Sequence, residues 1–261
     1  MESRGGSDVF LDDIVASVEA RAASWRRESE TIKERAAHAV EARSLLKRMA
    51  SARAMGVIAE CKHRSPSKGW LTEHYDPVAQ AMHYQTLGAT AISVLTEPEF
   101  FAGSMDHLAR VRQRTDLPVL CKDFVRDPIQ IWQARSHGAD AVLLIVRIVP
   151  DARELGDLKQ LVEALGMDAL IEVHSQQELE IALSVDARLV GVNNRDLDSF
   201  HTSLEFSERM AAYLPQNVLA ISESGIRTAA DIERLKNFGY RGVLVGEALM
   251  RGHRVLEDMG I

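Results

Sequence analysis

The chain's 261 residues are long for one compact domain yet within its reach, and a 46% hydrophobic content supplies ample core. A net charge of −7 argues against a nucleic-acid or anionic-membrane surface and leaves a small polar molecule as the expected partner. The polar start Met1-Glu2-Ser3-Arg4 and a longest apolar run of only Ala141 to Val146, against the roughly 20 residues of a membrane span, predict a soluble, cytoplasmic protein.

Residues 1–56 are rich in Ala, Arg and Glu and carry little strand signal, so they read as a helical extension. Its ten Lys/Arg against nine Asp/Glu make a mixed solvated face. Phe10-Leu11, Ile14-Val15 and Val18 fall at helical spacing, so one face can pack as a lid or support.

From Val57 on, one phrase repeats eight times: a short run of β-branched and aliphatic residues, a polar or glycine-containing break, then a helical pattern. The runs begin at Val57, Thr90, Pro118, Asp140, Asp168, Leu189, Val218 and Gly242. Near-continuous apolar runs mean strands buried on both faces, as in a parallel sheet. Helix starts lie between them: Asp76-Pro77 and Asp127-Pro128 put an Asp cap before Pro at the first helical position, and Ser175/Glu178, Thr202/Glu205 and Thr228/Asp231 have capping-box form. Eight such units predict an α/β fold, the (β/α)8 TIM barrel, as a single domain over 1–261 with the extension at 1–56 and the barrel at 57–261. Its active site then lies at the C-terminal ends of the strands.

Those ends are polar. Ile58, Glu60 and Lys62 alternate, so an inward Ile58 brings Glu60 and Lys62 inward as well. Lys122, Glu172, Asn193 and Glu223 close or follow later runs. Charges at the ends of hydrophobic strands are costly unless they pair or do chemistry, so two lysines and three glutamates converging favour general acid and base catalysis over a merely structural ion pair. After the seventh and eighth runs, Ser224-Gly225 and Gly246-Glu247 fall where barrels commonly hold a phosphate through backbone N–H groups. Ser65-Pro66-Ser67-Lys68-Gly69 reads as a mobile active-site loop. Cys61 and Cys121 end strands that are not barrel neighbours, so no disulfide is expected, and no Cys/His spacing suggests a metal. His63, His74, His83, His107, His137 and His201 read as surface polar groups and Trp25 and Trp132 as packing residues, while Trp70 has equal claims as packing residue and as cover for a substrate ring.

The runs Val57 to Gly69, Ile92 to Thr96 with Phe100-Phe101-x-Gly103-Ser104, Lys122-Asp123-Phe124, Gly138 to Leu144, Glu172-Val-His174, Asn193-Asn194-Arg195-Asp196-Leu197, Ser222 to Ile226 and Leu244 to Arg251 together resemble indole-3-glycerol phosphate synthase over nearly the whole chain. The resemblance implies decarboxylating ring closure and dehydration of 1-(2-carboxyphenylamino)-1-deoxy-D-ribulose 5-phosphate in tryptophan biosynthesis, without metal or other cofactor. It implies Lys122 as general acid, Glu172 as base in the dehydration, and Lys62 as holder of the substrate carboxylate or sharer of the acid role. Glu60 would orient Lys122, and Asn193 and Glu223 would fix sugar hydroxyls and the ring nitrogen. Ser65 and Arg195 would contact the substrate, and Ser224, Gly225, Gly246 and Glu247 would hold its phosphate. Glu247 stands where some members have Ser, so its backbone N–H is expected to face the phosphate and its carboxylate to turn away. A monomer is expected, open to a complex with other enzymes of tryptophan synthesis. Phosphoribosylanthranilate isomerase, a Schiff-base aldolase and a non-catalytic phosphate-binding barrel are the rival readings; the first needs a Cys base, but Cys61 alternates out of phase with Glu60 and Lys62.

Overall fold

The structure is a computed structural model that describes residues 6–66, 68–196, 199 and 201–259, with side chains from Leu11 onward. Its parallel strands are β1 (Gly56–Cys61), β2 (Ala91–Leu95), β3 (Val119–Lys122), β4 (Ala141–Ile145), β5 (Asp168–Val173), β6 (Leu189–Asn193), β7 (Leu219–Glu223) and β8 (Gly242–Val245). Each pairs with its chain neighbours, and β8 closes on β1 from Gly56↔Gly242 to Ala59↔Val245, so the sheet has no free edge. The eight apolar runs correspond to these strands to within a residue at each end, because buried parallel strands leave an uninterrupted aliphatic signature.

Helices alternate with the strands, and most start as the side chains dictate. Asp76 accepts from the Val78 and Ala79 N–H groups, and Ser175 accepts from the Glu178 N–H. Asp127 with Gln130 and Thr228 with Asp231 form reciprocal capping boxes. Thr202 is the exception. The helix Glu205–Ala211 begins after Leu204 with no side-chain cap, and Thr202 instead pairs antiparallel with Arg195, which removes its backbone from a capping geometry. The segment 64–70, read from sequence as a loop, contains a ribbon pairing Arg64 with Trp70 and Ser65 with Gly69; Ser67 lies outside the described residues.

The extension runs from one end of the barrel to the other. Helix Gly6–Arg26 lies near the mouth and buries Ile14, Val18 and Ala22; the Phe10 side chain lies outside the described residues. Beside these buried residues Arg21 donates to the Thr96 carbonyl at 3.3 Å and pairs with Asp123 at 2.7 Å. Helix Ser29–Ala37 packs beside the barrel helix Pro128–Ser136, where Ala22, Ile32 and Ile129 form a small cluster walled by Trp25 and Trp132. Helix Leu45–Ala50 closes the floor: Ser44 and the Leu46 N–H donate to Asp168, and Met49 is fully buried under Gly56 and Gly242. A Cβ at either glycine would meet the tip of the Met49 side chain, so the two glycines leave the room this plug fills. Met49→Ala should therefore lower unfolding free energy by about 2–5 kcal/mol in urea titration while leaving turnover of the folded fraction intact.

Candidate active site

The strand ends enclose a cavity of about 460 Å³. Alternation along each strand decides who faces it: Glu60 and Lys62 enter from β1, Lys122 from β3, Leu143 and Ile145 from β4, Glu172 from β5 and Asn193 from β6. Arg195, Ser224, Gly225, Gly246 and Glu247 line the same space. Glu223 is buried just behind it, in contact with Lys122. Ser65 does not reach the wall. Its place in the ribbon turns it aside, and Lys68, from the same segment, lines the cavity instead.

Lys122 is the electrostatic centre. Its Nζ lies 2.9 Å from a Glu223 oxygen and 3.2 Å from a Glu172 oxygen. Burial opposes its charge, but the carboxylates of Glu223, Glu172 and Glu60 outweigh that and hold its pKa above the usual lysine value. Burial likewise opposes the charge of Glu172, yet Lys122 and His174 together hold this carboxyl below its usual range. Burial pushes Glu223 up, and Lys122 compensates only in part because the neighbouring Glu172 repels a second negative charge. The three groups thus form a charged lysine, a firmly ionised glutamate and a second glutamate poised to carry a proton.

Glu60 corrects one expectation. Its carboxylate pairs with Lys62, the first residue past β1; Lys122 meets Glu172 and Glu223 directly. The reason is reach: Lys62 follows Glu60 by two residues along an extended backbone, whereas Lys122 already has two carboxylates at hydrogen-bond distance. Neither Glu60 Oε2 nor Glu223 Oε1 has a hydrogen-bond partner although both are buried.

Two glycines make room for these carboxylates. A Cβ on Gly191 would fall on the Glu223 carboxylate, and one on Gly246 would fall on that of Glu60. Gly246, expected at the phosphate site through its backbone, also leaves room for the Glu60 carboxylate. Gly191→Ala should displace Glu223, and since a shift near 1 Å at a reacting group can cost about a hundredfold, kcat should drop on that order while circular dichroism stays native.

The cavity wall also carries cations: Arg195, Arg227, Arg251 and Lys68 line it, with His253. Ser224 and Gly225 both have left-handed backbone (φ +64° and +83°), a strained conformation for Ser that costs about 1–3 kcal/mol and persists only when over-determined. Asn194 over-determines it: its Nδ2 donates to Ser222 Oγ and to the Glu223 and Ser224 carbonyls at 2.9–3.0 Å, and its Oδ1 accepts from the Ser207 N–H. The Glu247 carboxylate lies 3.6 Å from Arg195 and 3.2 Å from Arg251, so its charge is neutralised rather than merely turned away.

Several lining groups were not singled out from sequence. Phe101 and Phe124, with centroids 5.7 Å apart, make an apolar wall with Leu95, Ile148 and Leu11 of the extension. Phe101, Phe124 and Arg251 sat inside the motifs already quoted, but nothing in local patterning marked their direction. Trp70 is 61% exposed and leans on His63 outside the cavity, with Arg64 over its ring. Cys61 and Cys121 are free and buried; burial raises both thiols, Cys121 to about 12, so neither is a ready nucleophile or base. Among the described residues no three His, Cys, Asp or Glu side chains are grouped to hold a metal ion.

Comparison with known proteins gives a consistent picture. The family model described as indole-3-glycerol phosphate synthase matches residues 11–259. The indole-3-glycerol phosphate synthase of Carboxydothermus hydrogenoformans is 50% identical over 198 residues, 76% of this chain and 75% of that protein. The one of Desulfotalea psychrophila is 42% identical over 247 residues, 94% of each. A solved structure of N-acetylmannosamine-6-phosphate 2-epimerase from Clostridium perfringens superposes with TM-score 0.61 over 83% of this chain and 95% of that one; at 15% identity it shares the barrel alone.

Proposed function

The chain belongs to the indole-3-glycerol phosphate synthase family, and from that premise we propose how its residues divide the work. The reaction is a decarboxylating ring closure in tryptophan biosynthesis, in which the substrate 1-(2-carboxyphenylamino)-1-deoxy-D-ribulose 5-phosphate loses carbon dioxide and water. The observation that carries the assignment is Lys122, buried and held charged between Glu172 and Glu223 at the cavity mouth.

The arene carbon bearing the carboxylate attacks the ribulose carbonyl, and Lys122 gives that oxygen a proton. Carbon dioxide then leaves, restoring the aromatic ring. Lys122 regains a proton from solvent, the one proton that loss of carbon dioxide from a carboxylate consumes overall, and in the dehydration it protonates the departing hydroxyl while Glu172 takes the proton lost from the adjacent methylene. Their 3.2 Å contact lets the captured proton return to the lysine. Lys62, close to the mouth and paired only with Glu60 among the described contacts, holds the substrate carboxylate. The Phe101/Phe124 wall takes the anilino ring and Asn193 takes a hydroxyl or the ring N–H, while Glu223, expected to contact the substrate, lies behind the wall and acts through Lys122. The cationic part of the wall, with the backbone N–H groups around Ser224, Gly225, Gly246 and Glu247, takes the phosphate; Arg227 and Arg251 add charge to it. Ser65 has no contact role in this arrangement.

The test separates the two lysines. Purified protein turning over the substrate, followed by indole fluorescence, gives the reference. Lys62→Met should raise KM about 10- to 100-fold, the worth of one charge-assisted hydrogen bond, and change kcat far less. An equal fall in kcat with KM unchanged would move Lys62 into the acid role.

We further propose that 1–56 and 57–261 act as one unit, since Arg21–Asp123, Ser44–Asp168 and Met49 tie the extension to both barrel ends. A cytoplasmic monomer without nucleic-acid or membrane partners fits the net charge of −7 and the absence, among the described residues, of a helix long and apolar enough to cross a membrane. Light scattering, alone and with other enzymes of tryptophan synthesis, tests the assembly state.

A further inference from the structure

His174 follows β5 two residues after Glu172, and its ring is as deeply buried as the catalytic carboxylate, with 3% of the side chain exposed. It does not line the cavity. It stands behind Glu172 instead: Nε2 lies 3.2 Å from Glu172 Oε1, on the opposite oxygen from the one that meets Lys122. On its other side Nδ1 lies 3.5 Å from Glu178 Oε2. Glu178 is itself fixed, because the same oxygen accepts the His174 backbone N–H at 2.7 Å and its own N–H donates to Ser175 Oγ at the start of helix Gln176–Ser184.

The result is an unbroken row of alternating charge, Glu223, Lys122, Glu172, His174 and Glu178, from the barrel centre to its rim. Neither imidazole nitrogen makes a well-aligned hydrogen bond, so the contacts are chiefly electrostatic. A neutral imidazole there could donate to only one of the two carboxylates and would place no cation between them. We propose that His174 is a positioning residue for the reaction, bridging Glu172 to Glu178 and so keeping the Glu172 carboxylate an anion aimed into the cavity.

This rests on the reading of Glu172 as the base. Burial alone would lower the imidazole's pKa, but close contact with the carboxylates of Glu172 and Glu178 raises it to about 9, so the ring is protonated at neutral pH. Other charged groups on the surrounding elements are Lys122 and Glu223 across the barrel, Arg147 soon after β4, Arg195 two residues past β6, and Arg153, Glu154, Asp157, Lys159, Glu163 and Glu180 on the two helices packed on β5; Asn193 and Asn194 are neutral. Glu172 therefore has a cation on each oxygen. Removing the rear one should raise its pKa, and because the base works only as an anion, activity should be lost on the acidic side first.

The experiment is the pH dependence of kcat for wild type, His174→Gln and Glu172→Gln. His174→Gln is expected to move the acidic limb upward by about one pH unit, equal to about a tenfold loss of kcat on that limb, with KM unchanged. A merely structural role would lower kcat evenly at all pH values. If Glu172→Gln is inactive while His174→Gln keeps the wild-type profile, the proposal is overturned and the base assignment stands. If Glu172→Gln stays fully active, the base assignment falls and takes the proposal with it. Should His174→Gln fail to fold, imidazole titration followed by NMR in Glu178→Gln and Glu172→Gln decides: each should lower the His174 midpoint from about 9, and an unmoved midpoint in both overturns the bridge.

Discussion

Lys122→Met is expected to lower kcat by about 10²–10⁴-fold, the range a positioned general acid supplies, while the substrate still binds. Met fills nearly the volume of the lysine stem but carries no proton. Two consequences follow from the pairing geometry. With the ammonium gone, Glu172 and Glu223 face each other as buried carboxylates sharing no cation, so one of them must take up a proton near neutral pH. Indole fluorescence measures the first effect, and proton uptake on mutation, read from the pH dependence of folding stability, measures the second. Turnover within tenfold of wild type would remove Lys122 from the acid role and shift attention to Lys62.

The largest loss of stability should come from the opposite end of the barrel, at Asp140. This residue precedes β4 and has no exposed surface. It accepts the Arg43 N–H at 2.7 Å and the Val119 N–H at 2.8 Å, and Arg112 Nε lies 2.9 Å away. Burial raises its pKa in spite of these donors, a sign that the anion is only just compensated. Asp140→Ala would strand the buried Arg112 guanidinium and two N–H groups, one of which anchors the extension, so a loss of about 3–5 kcal/mol is expected in urea denaturation. Asp140→Asn should cost less, because an amide oxygen still accepts and no anion has to be desolvated. Equal losses for both would mean that the charge itself holds the floor.

The barrel was legible because its strands advertise themselves. A parallel strand buried on both faces must be apolar along its length, and Val57 to Cys61 or Leu189 to Asn193 cannot be read as much else in a chain that repeats them eight times. Alternation then placed Glu60, Lys62, Lys122, Glu172 and Asn193 at one mouth, since side-chain direction has a period of two and parallel strands end together. Capping residues marked most helix starts for the same local reason. The resemblance added roles that spacing alone does not give.

Partners were another matter. Which carboxylate meets Lys122 depends on the closure of β1 on β8 and the stagger between strands, so Glu60 turned to Lys62 while Glu172 and Glu223, 50 and 101 residues away in sequence, took the lysine. Gly191 and Gly246 are ordinary strand glycines until the carboxylates that fill their missing side chains are in place. Thr202 looked like a cap and became a bridge partner of Arg195. Arg21 reaches Asp123 across 102 residues, and Glu247 finds two arginines, because the fold brings distant segments to one rim. The sequence by itself determined the strands, their inward faces and the end at which chemistry gathers, for those follow from short-range periodicity and burial. Only the tertiary structure decided which charge faces which, because ion pairing falls off over a few ångströms and those separations are set by barrel closure.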